Sequence, residues 1–412
     1  MTIPSRRAQP ATAPGEPAGD AAIERWRAET PGCQDRIHLN NAGAALPPRS
    51  VLETMQRHLA REAEIGGYEA ADEAAPRIAA VYAALGAVVG APARNIAIVE
   101  NATVAMSQAL SAFDLRPGDV LVTSRADYPS SQLMYLSLAA RAGLVVERAD
   151  ELPEGGIDPE SVRRLVRNPR CRLVVLTWVP TNSGLVQRAA DIGAVCAEAG
   201  IPFVVDACQS VGQMPVDVMQ LRCDYLAGTA RKFLRGPRGI GFLYVSDRAL
   251  AQGASPLYVD MRGADWTAAN EFRLADGARR FENWEFAYAL VLGMGEAARY
   301  ALDVGAPGFA RAHALAADLR ARLAALPGVR VFDRGAERCA IVTITVDGHE
   351  PEALKLRLRA RGINTSVSDT ASGLLDFEAK GIQAALRLSP HYYNTTGELA
   401  AAVAALEELT RA

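Results

Sequence analysis

The spacing of apolar residues divides the chain into three stretches of different rhythm. Over residues 21–95, apolar positions recur at helical spacing in 21–30, in 51–65 behind a capping Ser50, and in 76–89. A short strand near 37–39 interrupts them. Gly66-Gly67 should break the second helix, because glycine weakens a helix interior. From Ile96 the rhythm changes to short β-branched runs at 96–99, 120–123, 145–148, 173–178, 203–206, 225–227 and 241–245. Helices ending at 113 and spanning 131–142 and 189–199 lie between them. Apolar strands alternating with helices predict a mostly parallel sheet covered on both faces.

Beyond Glu285, helical patterns at 286–303 and 307–326 lead into strands at 329–332 and 340–346, a helix at 351–360, strands at 363–366 and 386–389, and a helix at 396–410. That order predicts a smaller α+β domain. The expected organisation is a disordered tail over 1–20, a large α/β domain over 21–294 and a small domain over 295–412. The tail is rich in Pro, Ala and Gly. Its Arg6-Arg7 pair lacks the apolar core that an export signal needs.

Composition narrows the class. The 412 residues are 50% hydrophobic and 22% charged, with a formal net charge of -3, so no basic excess points to nucleic acid. The six cysteines are scattered without a C-x-x-C pair, which reads as reduced buried thiols rather than a disulfide framework or zinc site. With no long apolar run either, the expectation is a cytoplasmic protein with no membrane or nucleic-acid partner.

In a parallel sheet, ligands sit beyond the carboxyl ends of the strands. The residues just after the predicted strands are Asn101-Ala102-Thr103, Asp127-Tyr128, Asn182, Asp206 to Gln209, and Thr229 to Lys232, all polar or reactive groups or their immediate neighbours. Among 44 Lys plus Arg only three are lysines, and Lys232 alone of these follows a strand of the large sheet. Imine chemistry requires a lysine, because arginine holds its proton. Asp206, 26 residues earlier, also ends a strand. By itself it reads as a turn former or helix cap, or as the partner of a protonated ring nitrogen. Arg387, inside an apolar strand, is costly to bury without an anion. It fits either a structural salt bridge or a carboxylate ligand.

These motifs, 204–209, 227–241 and 387–395, resemble those of the class V aminotransferase family of fold-type-I pyridoxal-phosphate enzymes. The likeness runs from about 37 to 409. The resemblance implies an enzyme using pyridoxal 5'-phosphate, with Lys232 as imine-forming base and Asp206 on the ring nitrogen. It implies Gln209 and Asn182 near the phenolic oxygen, and Tyr128 over the ring in place of the histidine of cysteine desulfurases. Thr229, Arg231, Ala102 and Thr103 would hold the phosphate, and Arg387 with Asn41 the substrate carboxylate. A homodimer and a small amino-acid substrate are implied as well.

Two departures matter. The segment 367–373, where desulfurases carry a nucleophilic cysteine, has none, and Cys339 reads as core. Residues 282–285 replace the desulfurase segment that reaches a partner's phosphate. Within the family, the Gly66-Gly67-Tyr68 break, Tyr128, the 231–239 run and Ser389-Pro390-His391 resemble the hercynylcysteine sulfoxide lyases of ergothioneine biosynthesis. The implied reaction is α,β-elimination from an S-substituted cysteine or its sulfoxide, releasing pyruvate and ammonia. Transamination, epimerisation, desulfuration or non-catalytic cofactor binding are the alternatives. For the distal half of the substrate the aromatic candidates are Tyr68, Trp178, Tyr258, Trp266 and Trp284, with 258–272 as a loop over the site.

Overall fold

The computed structural model describes residues 18–411, and all but the last residues of the expected tail lie outside that range. Seven strands form the large sheet, in the order Ile96–Val99, Gly241–Val245, Tyr225–Thr229, Phe203–Asp206, Cys171–Thr177, Val120–Thr123, Val145–Arg148. All neighbours run parallel except around Gly241–Val245, which is antiparallel to both of its partners. Every residue of the three strands at 203–206, 225–229 and 241–245 is buried, which explains their continuous apolar runs. The edge strand Val145–Arg148 is half exposed, and its sequence is accordingly more polar. One apolar cluster fills the face toward the long helices and continues into the small domain. A second cluster lies under the helix Ala102–Ser111.

The glycine pair breaks the N-terminal helices as expected, but only at Gly66, whose φ is +103°. Helix Arg49–Ile65 ends there and helix Gly67–Val89 begins at once, rather than near Pro76. Between them lies a run of helix-forming Ala and Glu. Pro76 merely withholds one amide from the ladder, and local propensity carries the helix through it.

The two helices expected at 286–303 and 307–326 lie within Tyr288–Ala324 and meet at Gly305, whose φ of +56° and ψ of -160° are not helical. The expected join of the two domains lies within this helix. Past it, four antiparallel strands order as Val329–Val331, Val342–Val346, Ala384–Leu388, Ser366–Asp369. Ile363–Asn364, expected as part of that sheet, instead pairs in parallel with Ile37–His38 and ties the N-terminal segment to the small domain. A buried Arg320–Asp333 ion pair (2.8 Å) anchors the small domain, with Asp333 also accepting the Gly184 amide from the large one.

Residues 258–272 contribute to a hairpin, Ala264–Ala268 with Glu271–Leu274, rather than a plain loop. Its Trp266 is 82% exposed. Among the described residues, no helix is long and apolar enough to cross a membrane.

Candidate active site

A cavity of about 490 Å³ opens at the carboxyl ends of the sheet strands, lined by Asn101, Ala102, Thr103, Tyr128, Asp206, Cys208, Thr229, Arg231 and Lys232, among others. Asn101 caps the helix Ala102–Ser111, its side-chain oxygen accepting the Val104 amide at 3.0 Å. The first amides of a helix have no acceptor within it and carry its positive dipole end, so this rim suits an anion. Gly241 makes the approach of that helix possible. A Cβ there would meet Gly228 O at 2.6 Å and the Asn101 carbonyl carbon at 3.0 Å.

Tyr128 is positioned by the residue before it. Asp127 is fully buried and accepts from Thr123 (2.6 Å), Tyr135 (2.9 Å), Thr177 and the Tyr128 amide (2.8 Å). Burial pushes its carboxyl upward against these donors, which lower it. The four bonds fix the turn from which the Tyr128 ring reaches Lys232, whose Nζ lies 5.6 Å from the ring centroid.

Asp206 ends its strand, 4% exposed, and accepts the Cys208 amide at 2.9 Å. Lys232 is equally buried, and loss of water lowers its amine below 10.5. Cys208 and Asp206 oppose that fall, while Arg231 and Arg387 add to it. The turn after Lys232 is locked from two sides. Arg235, fully buried in the left-handed region, donates to Leu46 O (2.8 Å) and the Tyr392 hydroxyl (2.7 Å), and its guanidinium lies 4.6 Å from the Tyr393 ring centroid. His391 bonds Phe233 O at 2.9 Å.

Beside the cavity lies Arg387, in the middle strand of the small sheet and opposite both Thr343 and Ser366. It is 6% exposed. Nη1 donates to Thr181 O (2.7 Å) and Thr181 Oγ1 (2.9 Å), Nη2 reaches Asn40 Oδ1 at 3.4 Å, and Nε has no partner. Among the described residues, no carboxylate pairs with it. Burial, with Arg231 nearby, lowers the guanidinium to about 10. Gln209 joins the same group through Thr181 Oγ1 (3.2 Å), and its buried Oε1 is unpaired.

Two expected residues are turned elsewhere. Asn41 is fully buried, its amide donating to Ser389 O (2.7 Å) and its oxygen accepting the Tyr393 hydroxyl, so that Asn40 is the neighbour reaching Arg387. Asn182 donates to Asp376 (2.6 Å), which Lys380 also pairs at 2.6 Å. Thr181, Asn40 and Cys208 were missed as site residues. Their only signal was adjacency to Asn182, Asn41 and Asp206.

An anion-binding helix start, a buried lysine over an aromatic ring, a carboxylate at the adjacent strand end and an arginine lacking an anion fit pyridoxal phosphate and an amino-acid substrate. The fold and this arrangement define a fold-type-I pyridoxal-phosphate-dependent enzyme. The chain belongs to the aminotransferase class-V family, whose model matches residues 37–401. It is 29% identical over 399 residues to a probable hercynylcysteine sulfoxide lyase of Mycobacterium tuberculosis, covering 96% of this chain and 95% of that one. A probable cysteine desulfurase of Xylella fastidiosa is 27% identical, at 93% and 94% coverage. The apo cysteine desulfurase of Thermococcus onnurineus superposes with a TM-score of 0.87 at 23% identity, covering 94% of this chain and 98% of that one.

Proposed function

We propose that the protein is a carbon–sulfur lyase that performs α,β-elimination on an S-substituted cysteine or cysteine sulfoxide: the Cβ–S bond breaks, the sulfur leaves as a thiol or, from the sulfoxide, a sulfenic acid, and the three-carbon remainder takes up water to give pyruvate and ammonia. The observation that carries an amino-acid substrate is Arg387, a buried guanidinium without a carboxylate and with a free Nε–H. A substrate α-carboxylate satisfies it bidentately. Pyridoxal phosphate, when bound, supplies the electron sink that makes a substrate Cα–H acidic. The Ala102–Thr103 helix start, Thr229 and Arg231 would hold its phosphate, Asp206 would face its ring nitrogen, and Tyr128 would cover the ring. Gln209 serves the phenolic oxygen, and Asn182 could do so only by leaving Asp376. Lys232 Nζ, made less basic by burial, takes the proton from Cα.

Elimination rather than persulfide transfer is supported by the thiols. All six cysteines are buried and free, 367–373 offers none, and the one that lines the cavity, Cys208, is held as a neutral thiol because burial, with Asp206 beside it, pushes it well above 9.0. Cys339 is 0% exposed, and its backbone amide donates to Gly184 O. The relative named as a hercynylcysteine sulfoxide lyase supports the sulfoxide form and a place in ergothioneine synthesis. We assign the enzyme to the cytoplasm as a homodimer, with the exposed Leu257, Tyr258, Met261, Trp266 and Phe272 as surface for a second copy.

The test is incubation of the holoenzyme with S-substituted cysteines and their sulfoxides without a 2-oxo acid. Pyruvate and ammonia should form in equal amounts. Turnover only when a 2-oxo acid is added would replace the lyase by an aminotransferase.

A further inference from the structure

The segment between the strands Ser366–Asp369 and Ala384–Leu388 leaves the small sheet and reaches the large domain. It carries the helix Leu374–Lys380, whose Asp376 is 8% exposed. Asp376 Oδ2 accepts from Lys380 Nζ at 2.6 Å and from Asn182 Nδ2 at 2.6 Å. Among the described residues, the bond to Asn182 is the one hydrogen bond that joins 370–381 to the large domain. Gly373 permits it, because a Cβ there would meet Asn182 Nδ2 at 2.7 Å. The stretch 367–373, which lacks the desulfurase thiol, thus leads into a grip on the large domain.

An ion pair four residues apart forms equally well on the open face of a helix. Burying it strips both charges of water, and their attraction repays this only when further hydrogen bonds use those charges. Lys380, its side chain 5% exposed, is buried with its partner, and the further bond goes to Asn182. A carboxylate holds an amide about twice as strongly as a neutral acceptor does. The residue so held is the neighbour of Thr181. Thr181 O and Oγ1 accept from Arg387 Nη1 at 2.7 and 2.9 Å, and Oγ1 accepts from Gln209 Nε2 at 3.2 Å. We propose that Asp376 is a positioning residue for substrate recognition: through Asn182 it fixes Thr181, and thereby the direction in which Arg387 meets a substrate carboxylate. This rests on the reading of Arg387 as the carboxylate anchor. The small domain then supplies the anchor on one strand and, from the segment just before that strand, the grip that aims it.

Two ligands without a leaving group on Cβ test this: L-alanine, and ethylamine, the same amine without its carboxylate. Each is titrated into the full-length holoenzyme and followed by the absorbance of the bound pyridoxal, with thermal unfolding measured alongside. Wild type should bind L-alanine at least ~30-fold more tightly than ethylamine, the least that a buried charge pair is worth. Asp376→Ala, Asn182→Ala and Gly373→Ala should each cut that ratio roughly tenfold by misplacing the anchor. A loss that strikes both ligands alike, such as general loosening of the fold or of cofactor contacts, leaves the ratio unmoved. The double variant Asp376→Ala/Asn182→Ala should fall no further than either single one, because both remove the same bond. Should Asp376→Ala fail to fold, Asn182→Ala and Gly373→Ala decide, since both keep the Asp376–Lys380 pair. A wild-type ratio in the folded variants, or losses that multiply in the double variant, would overturn the positioning role and leave the lyase reading standing. A wild type that binds both ligands alike would instead remove the carboxylate anchor, and with it both readings.

Discussion

Replacing Arg387 by methionine should make the protein more stable and much less active. The side chain is 6% exposed, and burial brings its guanidinium from 12.5 to about 10. At about 1.36 kcal/mol per pH unit, that corresponds to roughly 3 kcal/mol of charge burial that the folded protein leaves uncompensated. Against this stand the hydrogen bonds to Thr181, a half-buried residue that water can reach once the arginine is gone, at about 1 kcal/mol each. Methionine keeps the apolar stem, so the net expectation for Arg387→Met is a gain of about 1 kcal/mol in the enzyme without substrate. Catalysis moves the other way. Removing one member of a buried, hydrogen-bonded charge pair costs about 2–5 kcal/mol. At about 1.4 kcal/mol per tenfold, kcat/KM should fall roughly 30- to 4,000-fold, mostly through KM. Urea unfolding and steady-state pyruvate release measure the two arms. A destabilisation beyond about 1 kcal/mol, or a kcat/KM within tenfold of wild type, would show that Arg387 is structural.

Lys232→Ala should abolish both turnover and the imine absorbance, expected near ~420 nm for a bound pyridoxal imine; persistence of the band would move the imine to another lysine. In the wild type, the pH at which the apoenzyme amine becomes reactive should lie below 10.5, and Arg387→Met should raise it, because Arg387 is one of the charges that depress Lys232. Acid sensitivity should carry a histidine component: burial holds His391 neutral in the fold, well below 6.5, with Nδ1 accepting the Tyr392 amide at 3.0 Å. The unfolded chain takes up that proton first, so this stability is complete above about pH 6.5 and is lost as pH falls below it, by about 1.4 kcal/mol per unit. Glu282, raised to about 7 by burial, has the opposite slope, so the informative quantity is the difference between His391→Gln and wild type between pH 7.5 and 5.5. The variant's urea midpoint should fall less steeply over that window, and parallel curves would contradict the assignment.

Strand ends could be read from the chain because buried parallel strands write themselves as unbroken apolar runs, and their termini as the first polar residue. Asp206, Thr229 and Lys232 were found that way. Arg387 was found by the opposite logic, a charge where the pattern demands an apolar residue. What local pattern does not encode is which of two adjacent polar residues faces the site. Asn40 and Asn41 are chemically the same, and only the Ser389 carbonyl and Tyr393 hydroxyl, more than 340 residues away, decide that Asn41 turns inward. Thr181 reads as a turn residue after Pro180; its bond to Gln209 forms only when two strand-end loops are brought side by side, and its bond to Arg387 only when the C-terminal sheet packs against them. The hairpin at 264–274 was read as part of a loop because its mostly exposed strands lack the apolar rhythm that marks a buried one.

The C-terminal motif shows the same limit more sharply. Ser389-Pro390-His391-Tyr392-Tyr393 stands out in the sequence, but its physical task is to hold a turn 158 residues earlier. His391 bonds the Phe233 carbonyl, and Tyr392 and Tyr393 surround the guanidinium of Arg235. The strand that carries Arg387 thus runs on into the residues that fix the turn after Lys232. On the roles proposed above, the carboxylate anchor and the turn beside the base are braced by one continuous segment, 384–393. A charge as costly as Arg387 accords with those roles, because the stretch that carries it also holds the Phe233 carbonyl next to Lys232.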